Sequence, residues 1–173
     1  MTIMTMVRSS LPALLFAALA IGVVTEPAAA NCSNGAQSLI NNLKGAWRGA
    51  GTVKPIGGAE ERLSCRVNYE TSGARIAQTI SCAGADYKID AGADVSCDGD
   101  NVSGTWNEKV ANNTGRVKGE INGARLKLEV DGPNFQGRFD VKVDSASRHS
   151  LTITQFDPGA GRHVPIATVS LTR

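Results

Sequence analysis

Aromatic residues are scarce in this 173-residue chain, with two Trp, two Tyr and four Phe, and histidine occurs only twice, as His149 and His163. There is no Gly-x-Ser-x-Gly elbow to hold a nucleophile, and neither histidine has a second one at metal-ligand spacing. Both lie near turn or strand-end positions, where a solvated imidazole is expected. Charge of either sign is also short of a surplus. Lys and Arg number 18 against 16 Asp and Glu, for a net charge of +2. Basic residues are interleaved with acids, as in Arg116-Val117-Lys118-Gly119-Glu120, so the electrostatic stripe of a nucleic-acid binder is missing. No Cys-x-x-Cys occurs, which argues against redox or zinc chemistry. The acids Asp86, Asp90, Asp94 and Asp98 do not reproduce a calcium loop, and Asp98-Gly99-Asp100-Asn101 lacks its terminal glutamate. These absences predict a protein without metal or cofactor, and not an enzyme.

One long apolar run is present, from Leu11 to Val24 after Arg8, and Ala28-Ala29-Ala30 supplies the small-residue pattern that signal peptidases cut. Residues 1–30 therefore read as a signal peptide and residues 31–173 as a single mature domain, periplasmic or secreted, with no membrane attachment once the leader is gone. Asn31 before Cys32 does not suit a lipobox, which disfavours lipidation. All four cysteines, Cys32, Cys65, Cys82 and Cys97, lie in the mature part, where an oxidising compartment makes disulfides the default.

Ala36, Leu39, Ile40 and Leu43 fall at helical spacing, predicting a short helix over about 33–43 with Ser33 or Asn34 as N-cap. From Ala46 onward the period is two. Leu63, Cys65, Val67 and Tyr69 alternate with polar residues, as do Ile76, Gln78, Ile80 and Cys82, then Leu126, Leu128 and Val130, then Phe135, Phe139, Val141 and Val143. Turn chemistry separates the segments. Asn122-Gly123 reads as a type I′ hairpin, and Asp98-Gly99, Asp131-Gly132-Pro133-Asn134 and Asp157-Pro158-Gly159 as further turns. Eight to ten strands in successive hairpins, apolar on one face, must hide that face and two sheet edges. An up-and-down antiparallel β-barrel does both, and a two-sheet β-sandwich is the alternative all-β architecture.

Register follows from the second hairpin. A type II′ loop at Gly73-Ala74, with glycine first, places Cys65 opposite Cys82 on the inner face, whereas a loop at Ser72-Gly73 leaves them diagonal. Four cysteines allow three connectivities, and with Cys65–Cys82 formed Cys32 falls to Cys97.

Leu43-Lys44-Gly45-Ala46-Trp47-Arg48-Gly49, after a short helix and opening the first strand, resembles the Gly-x-Trp start of calycin-like barrels such as lipocalins and avidins. Val102-Ser103-Gly104-Thr105-Trp106 resembles the Gly-Thr-Trp opening of strands in the same barrels, and residues 43–172 are similar to a group of uncharacterised exported bacterial proteins. The resemblance implies a small β-barrel. Trp47, Tyr69, Trp106, Phe135 and Phe139 are the candidates to line a cavity for a small, partly apolar ligand, although such residues also plug small barrels. The other expected role is that of a protein-interaction module such as a secreted protease inhibitor, with a protein partner. Oligomeric state stays open.

Overall fold

The computed structural model describes residues 31–173, so the leader expected at residues 1–30 lies outside the described residues. One helix, α1 (Asn34–Leu43), precedes ten strands: β1 (Gly45–Val53), β2 (Glu61–Ser72), β3 (Arg75–Ala83), β4 (Lys88–Asp98), β5 (Asn101–Glu108), β6 (Asn113–Asn122), β7 (Arg125–Gly132), β8 (Phe135–Ser145), β9 (Arg148–Asp157) and β10 (Arg162–Thr172). Each strand pairs antiparallel with its sequence neighbours, and β10 pairs with β1 from Arg48↔Thr172 to Val53↔Ala167. The sheet is a closed barrel, which leaves no edge strand exposed. The sandwich alternative is thereby set aside.

Closing ten strands requires them to coil steeply, and inward-facing glycines permit it. A Cβ on Gly49 or Gly51 would collide with the Ser170 or Thr168 carbonyl of β10, and one on Gly104 with Asp94 of β4. On β6, Gly115 and Gly119 press equally close to Asp131 and Lys127 of β7. The strands bend over their neighbours at these points because no side chain stands between the backbones. On β10, Pro165 has no N–H to give the ladder, and the register against β9 shifts between Pro165 and Ala167.

The second hairpin has the expected register. Gly73 is at φ +56° while Ala74 is not positive, Ser72 pairs with Arg75, and Cys65 stands opposite Cys82. The disulfides are Cys65–Cys82, with Cα atoms 4.1 Å apart, and Cys32–Cys97, at 5.2 Å. The β6–β7 hairpin corrects the expectation of an Asn122-Gly123 type I′ turn. Asn122 pairs with Arg125, and the loop is Gly123-Ala124 with Gly123 at φ +56°. Cross-strand charge accounts for the shift. The observed register sets Glu120 against Lys127, Lys118 against Glu129 and Arg116 against Asp131. The expected loop would have set Lys118 against Lys127, a like-charge pair directly opposed.

Helix α1 begins at Ser33, whose Oγ accepts the Ala36 N–H at 3.0 Å. Ala36, Leu39, Ile40 and Leu43 are buried on one face. A ten-residue helix is marginal in isolation. Three tethers hold it against one end of the barrel. Cys32–Cys97 and the Cys32↔Gly99 bridge fasten its start, and at its finish Leu43 O accepts the Trp47 indole N–H at 2.6 Å.

Candidate functional site

The helix divides the barrel into unlike halves. At the capped end, strand β1 opens with Trp47, 1% exposed, and β9 opens with His149, 0% exposed. Their rings meet edge to face with centroids 4.3 Å apart, and Tyr69 of β2 closes on His149 from another side at 5.7 Å. Burial of His149 corrects the expectation of a solvated histidine. Its signal was present in the alternation, since His149 shares the parity of Leu151 and Ile153, which point inward.

Polar atoms here form a short chain. Gln78 Nε2 donates to Tyr69 Oη at 3.4 Å, so the Tyr69 hydroxyl proton is free to face His149 Nε2, also at 3.4 Å. That direction leaves the imidazole proton on Nδ1, which has no hydrogen-bond partner. Burial, reinforced by the nearby Arg173 cation and partly opposed by Asp144, pulls the His149 pKa down to about 4. Burial likewise pushes the Tyr69 phenol above its ordinary range, against the Gln78 hydrogen bond. Arg173 lies over the Trp47 ring at 4.5 Å and donates to the carbonyls of Lys44 and Ala146, binding helix end, β1 and the β8–β9 turn together.

The half away from the helix is different. Tyr87, Ile89, Ala91, Trp106, Leu128, Phe135, Phe139 and Val164 pack against the core yet remain partly exposed. One ladder row explains the wall they make: Trp106 pairs with Gly115, Arg116 with Asp131, and Gly132 with Phe135. Without side chains on Gly115 and Gly132, the Trp106 indole lies flat across β6 and donates to Asp131 O at 3.2 Å. Its ring meets Phe135 edge to face at 5.7 Å. Phe139, deeper in the barrel, sits between Leu128 and Ile153. Across the opening, burial and then the Glu108 and Glu61 carboxylates push the Tyr87 phenol up.

The five aromatic residues singled out from sequence are therefore split. Trp47 and Tyr69 lie in the sealed end, whereas Trp106 and Phe135 line the open end with Phe139 below them. Tyr87 and Ile89 belong with the second group. They were not singled out because the β4 run is short and its middle positions, Ala91, Gly92 and Ala93, carry little apolar contrast.

The closed ten-strand antiparallel barrel of this chain resembles solved structures in overall shape. Particular likenesses are Rv2717c from M. tuberculosis, with 14% identity and a TM-score of 0.66 over 83% of this chain and 99% of that one, and the S-type phycobiliprotein lyase CPES from Guillardia theta, with 8% identity and a TM-score of 0.57 over 79% and 91%. At these identities the likeness shows the fold alone. No family profile matches the sequence, and no curated protein matches it.

Proposed function

We propose that this is an exported, non-catalytic binding protein that takes a small, partly apolar ligand into the open half of its barrel. The observation that carries the reading is the asymmetry of burial. Inward-facing apolar side chains are sealed at the helix end and partly exposed at the other, where Trp106 meets Phe135 edge to face and Phe139 lies deeper. A folded protein that leaves inward aromatic surface in contact with solvent gains by covering it with a ligand. Export is supported by the leader sequence and by two disulfides, which persist in an oxidising compartment. The non-catalytic reading is supported by the titratable groups, since His149 and Tyr69 are enclosed and several carboxylates are ion-paired on the outer surface. For the alternative of a secreted protease inhibitor, residues 34–43 offer no extended segment to enter an enzyme, because they are helical and tied down by Cys32–Cys97.

Titration with 8-anilinonaphthalene-1-sulfonate, followed by displacement with medium-chain fatty acids and small aromatic acids, tests the reading. Wild-type protein enhances the dye emission, and Trp106→Ala weakens dye binding about tenfold. Absence of dye binding, or equal binding by Trp106→Ala, contradicts it.

A further inference from the structure

Charge pairing stops on one side of the barrel. Six ion pairs join the described residues, and all of them lie on β3 to β8 and the turn after β5. On the outer face of β9, β10, β1 and β2 the register instead runs Arg148↔Thr172, Thr172↔Arg48, Arg48↔Arg66 and Arg66↔Ser81. Two arginines thus stand directly opposed, an arrangement that costs stability. Arg62 extends the surface along β2, opposite Thr52. All four arginines are exposed, and none has an ion-pair partner among the described residues.

The rest of this panel is mostly hydroxylated. Ser150, Ser170, Ala50 and Ser64 form the adjoining row, and Thr152, Thr168 and Thr52 lead to Arg62 in the next. No carboxylate occupies an outward position in these three rows. Carboxylates at the margins are engaged elsewhere: Asp90, opposite Ser81, with Lys109 at 3.1 Å, and Asp140, opposite Thr152, with Arg125 at 3.3 Å. Asp144, near Arg148, is held by Lys142 at 2.8 Å, and Glu70 accepts from Asn68 at 3.1 Å. Strands β9, β10, β1 and β2 contain no lysine. Arginine is the cation whose planar fork matches a carboxylate or sulfate with two parallel hydrogen bonds. No aromatic or large apolar side chain stands in these rows, so neither a stacked base nor a bilayer finds an anchor there. With strands about 4.8 Å apart and about 3.3 Å per residue, the four charges spread over roughly 13–14 Å in each direction, more than one small anion spans. The complementary ligand is anionic, hydrated and repeating.

We propose that this panel binds a linear acidic polysaccharide, with its carboxylate or sulfate groups held by Arg48, Arg62, Arg66 and Arg148 and its hydroxyls by the serines and threonines between them. An anion lying across Arg48 and Arg66 relieves their mutual repulsion. Closure of the barrel brings Arg148 to β1 through β10, which is why the basic residues look dispersed in the sequence. The site is independent of the chamber inside the barrel.

The test is a calorimetric titration of the purified protein with heparin and with alginate, and with neutral dextran, single-stranded DNA and phosphatidylglycerol vesicles as the competing chemistries. At least one acidic polysaccharide binds with a Kd of roughly 10 μM or tighter at low salt, and added NaCl weakens it steeply. The double variant Arg48→Ser/Arg66→Ser weakens that binding about tenfold or more, the worth of a charge-assisted contact. Arg116→Ser/Arg138→Ser removes the same charge from the ion-paired side and leaves binding nearly unchanged. Arg66→Glu weakens binding as well but raises the melting temperature, because it sets a carboxylate opposite Arg48, whereas loss of a purely structural arginine would lower it. Trp106→Ala leaves polysaccharide binding unchanged. Equal losses in the two double variants mean that net charge alone is read, and they overturn the proposal. So do tighter binding of DNA, vesicles or dextran than of either acidic polysaccharide, the absence of binding by both, and a lower melting temperature in Arg66→Glu.

Discussion

At the scale of single residues, His149 carries the sharpest consequence. Its unfolded pKa is near 6.5 and its folded value about 4, because burial disfavours the imidazolium. Between those values the unfolded chain takes up a proton that the folded protein refuses. The stability contributed by neutral His149 is thus fully present above pH 6.5 and is lost as the pH falls toward 4, by on the order of 3 kcal/mol. Urea unfolding measured across this range shows the loss in wild type and a much flatter profile in His149→Leu; parallel profiles for the two proteins would refute the assignment. The tryptophans differ in a related way. Trp47 is enclosed and bonded to Leu43 O, so Trp47→Ala costs about 3–5 kcal/mol of unfolding free energy. Trp106 is partly exposed, and Trp106→Ala costs distinctly less while impairing ligand uptake. Sequence alone did not separate them, since both follow a Gly-x-Trp pattern. Burial at Trp47 depends on Leu43 of the helix and on Arg173, which are remote from each other in the chain.

At the scale of elements, glycine placement and cross-strand charge determine the geometry. Gly49 faces the Ser170 carbonyl with no room for a methyl group, so Gly49→Ala either straightens β1 or splits it from β10. We expect a loss of about 1–3 kcal/mol or more in chemical denaturation, against a few tenths at an exposed strand position. The disulfides have separate roles. Cys65–Cys82 closes 17 residues within one hairpin, and Cys32–Cys97 closes 65 and anchors α1. Loop entropy gives about 3 kcal/mol for the first and about 4 for the second. Replacing the second pair by serine therefore destabilises more, and it raises amide hydrogen exchange in residues 34–43 selectively. Uniform exchange along the chain would mean that the helix is not held by that bond. The Cys65–Cys82 register was legible in sequence because Gly73 supplies the positive φ at the first loop position. At Asn122-Gly123 the same local logic misplaced the loop by one residue. There the decision rests on Lys118, Glu129, Glu120 and Lys127, whose opposition is a property of two strands together.

At the scale of the whole molecule, alternation and hairpin punctuation were enough to foresee a sheet of successive strands. Closure was not contained in any local pattern, since it joins Arg48 to Thr172 across nearly the full domain. The asymmetry of the barrel is also a product of tertiary packing. The apolar stripe of α1 could be read from residues 36–43, but which end it seals depends on the Cys32–Cys97 bridge. The result is a barrel with a Trp–His–Tyr plug at one end and an aromatic wall open at the other. Each end contains one of the two tryptophans, so the asymmetry can be measured directly. Acrylamide quenching of the single-tryptophan variants Trp47→Phe and Trp106→Phe, with and without saturating 8-anilinonaphthalene-1-sulfonate, reports each end separately. The account predicts that Trp106 is readily quenched, is shielded by the dye and transfers energy to it, while Trp47 is protected throughout. Equal quenching of the two tryptophans, or shielding of Trp47 in place of Trp106, would contradict it.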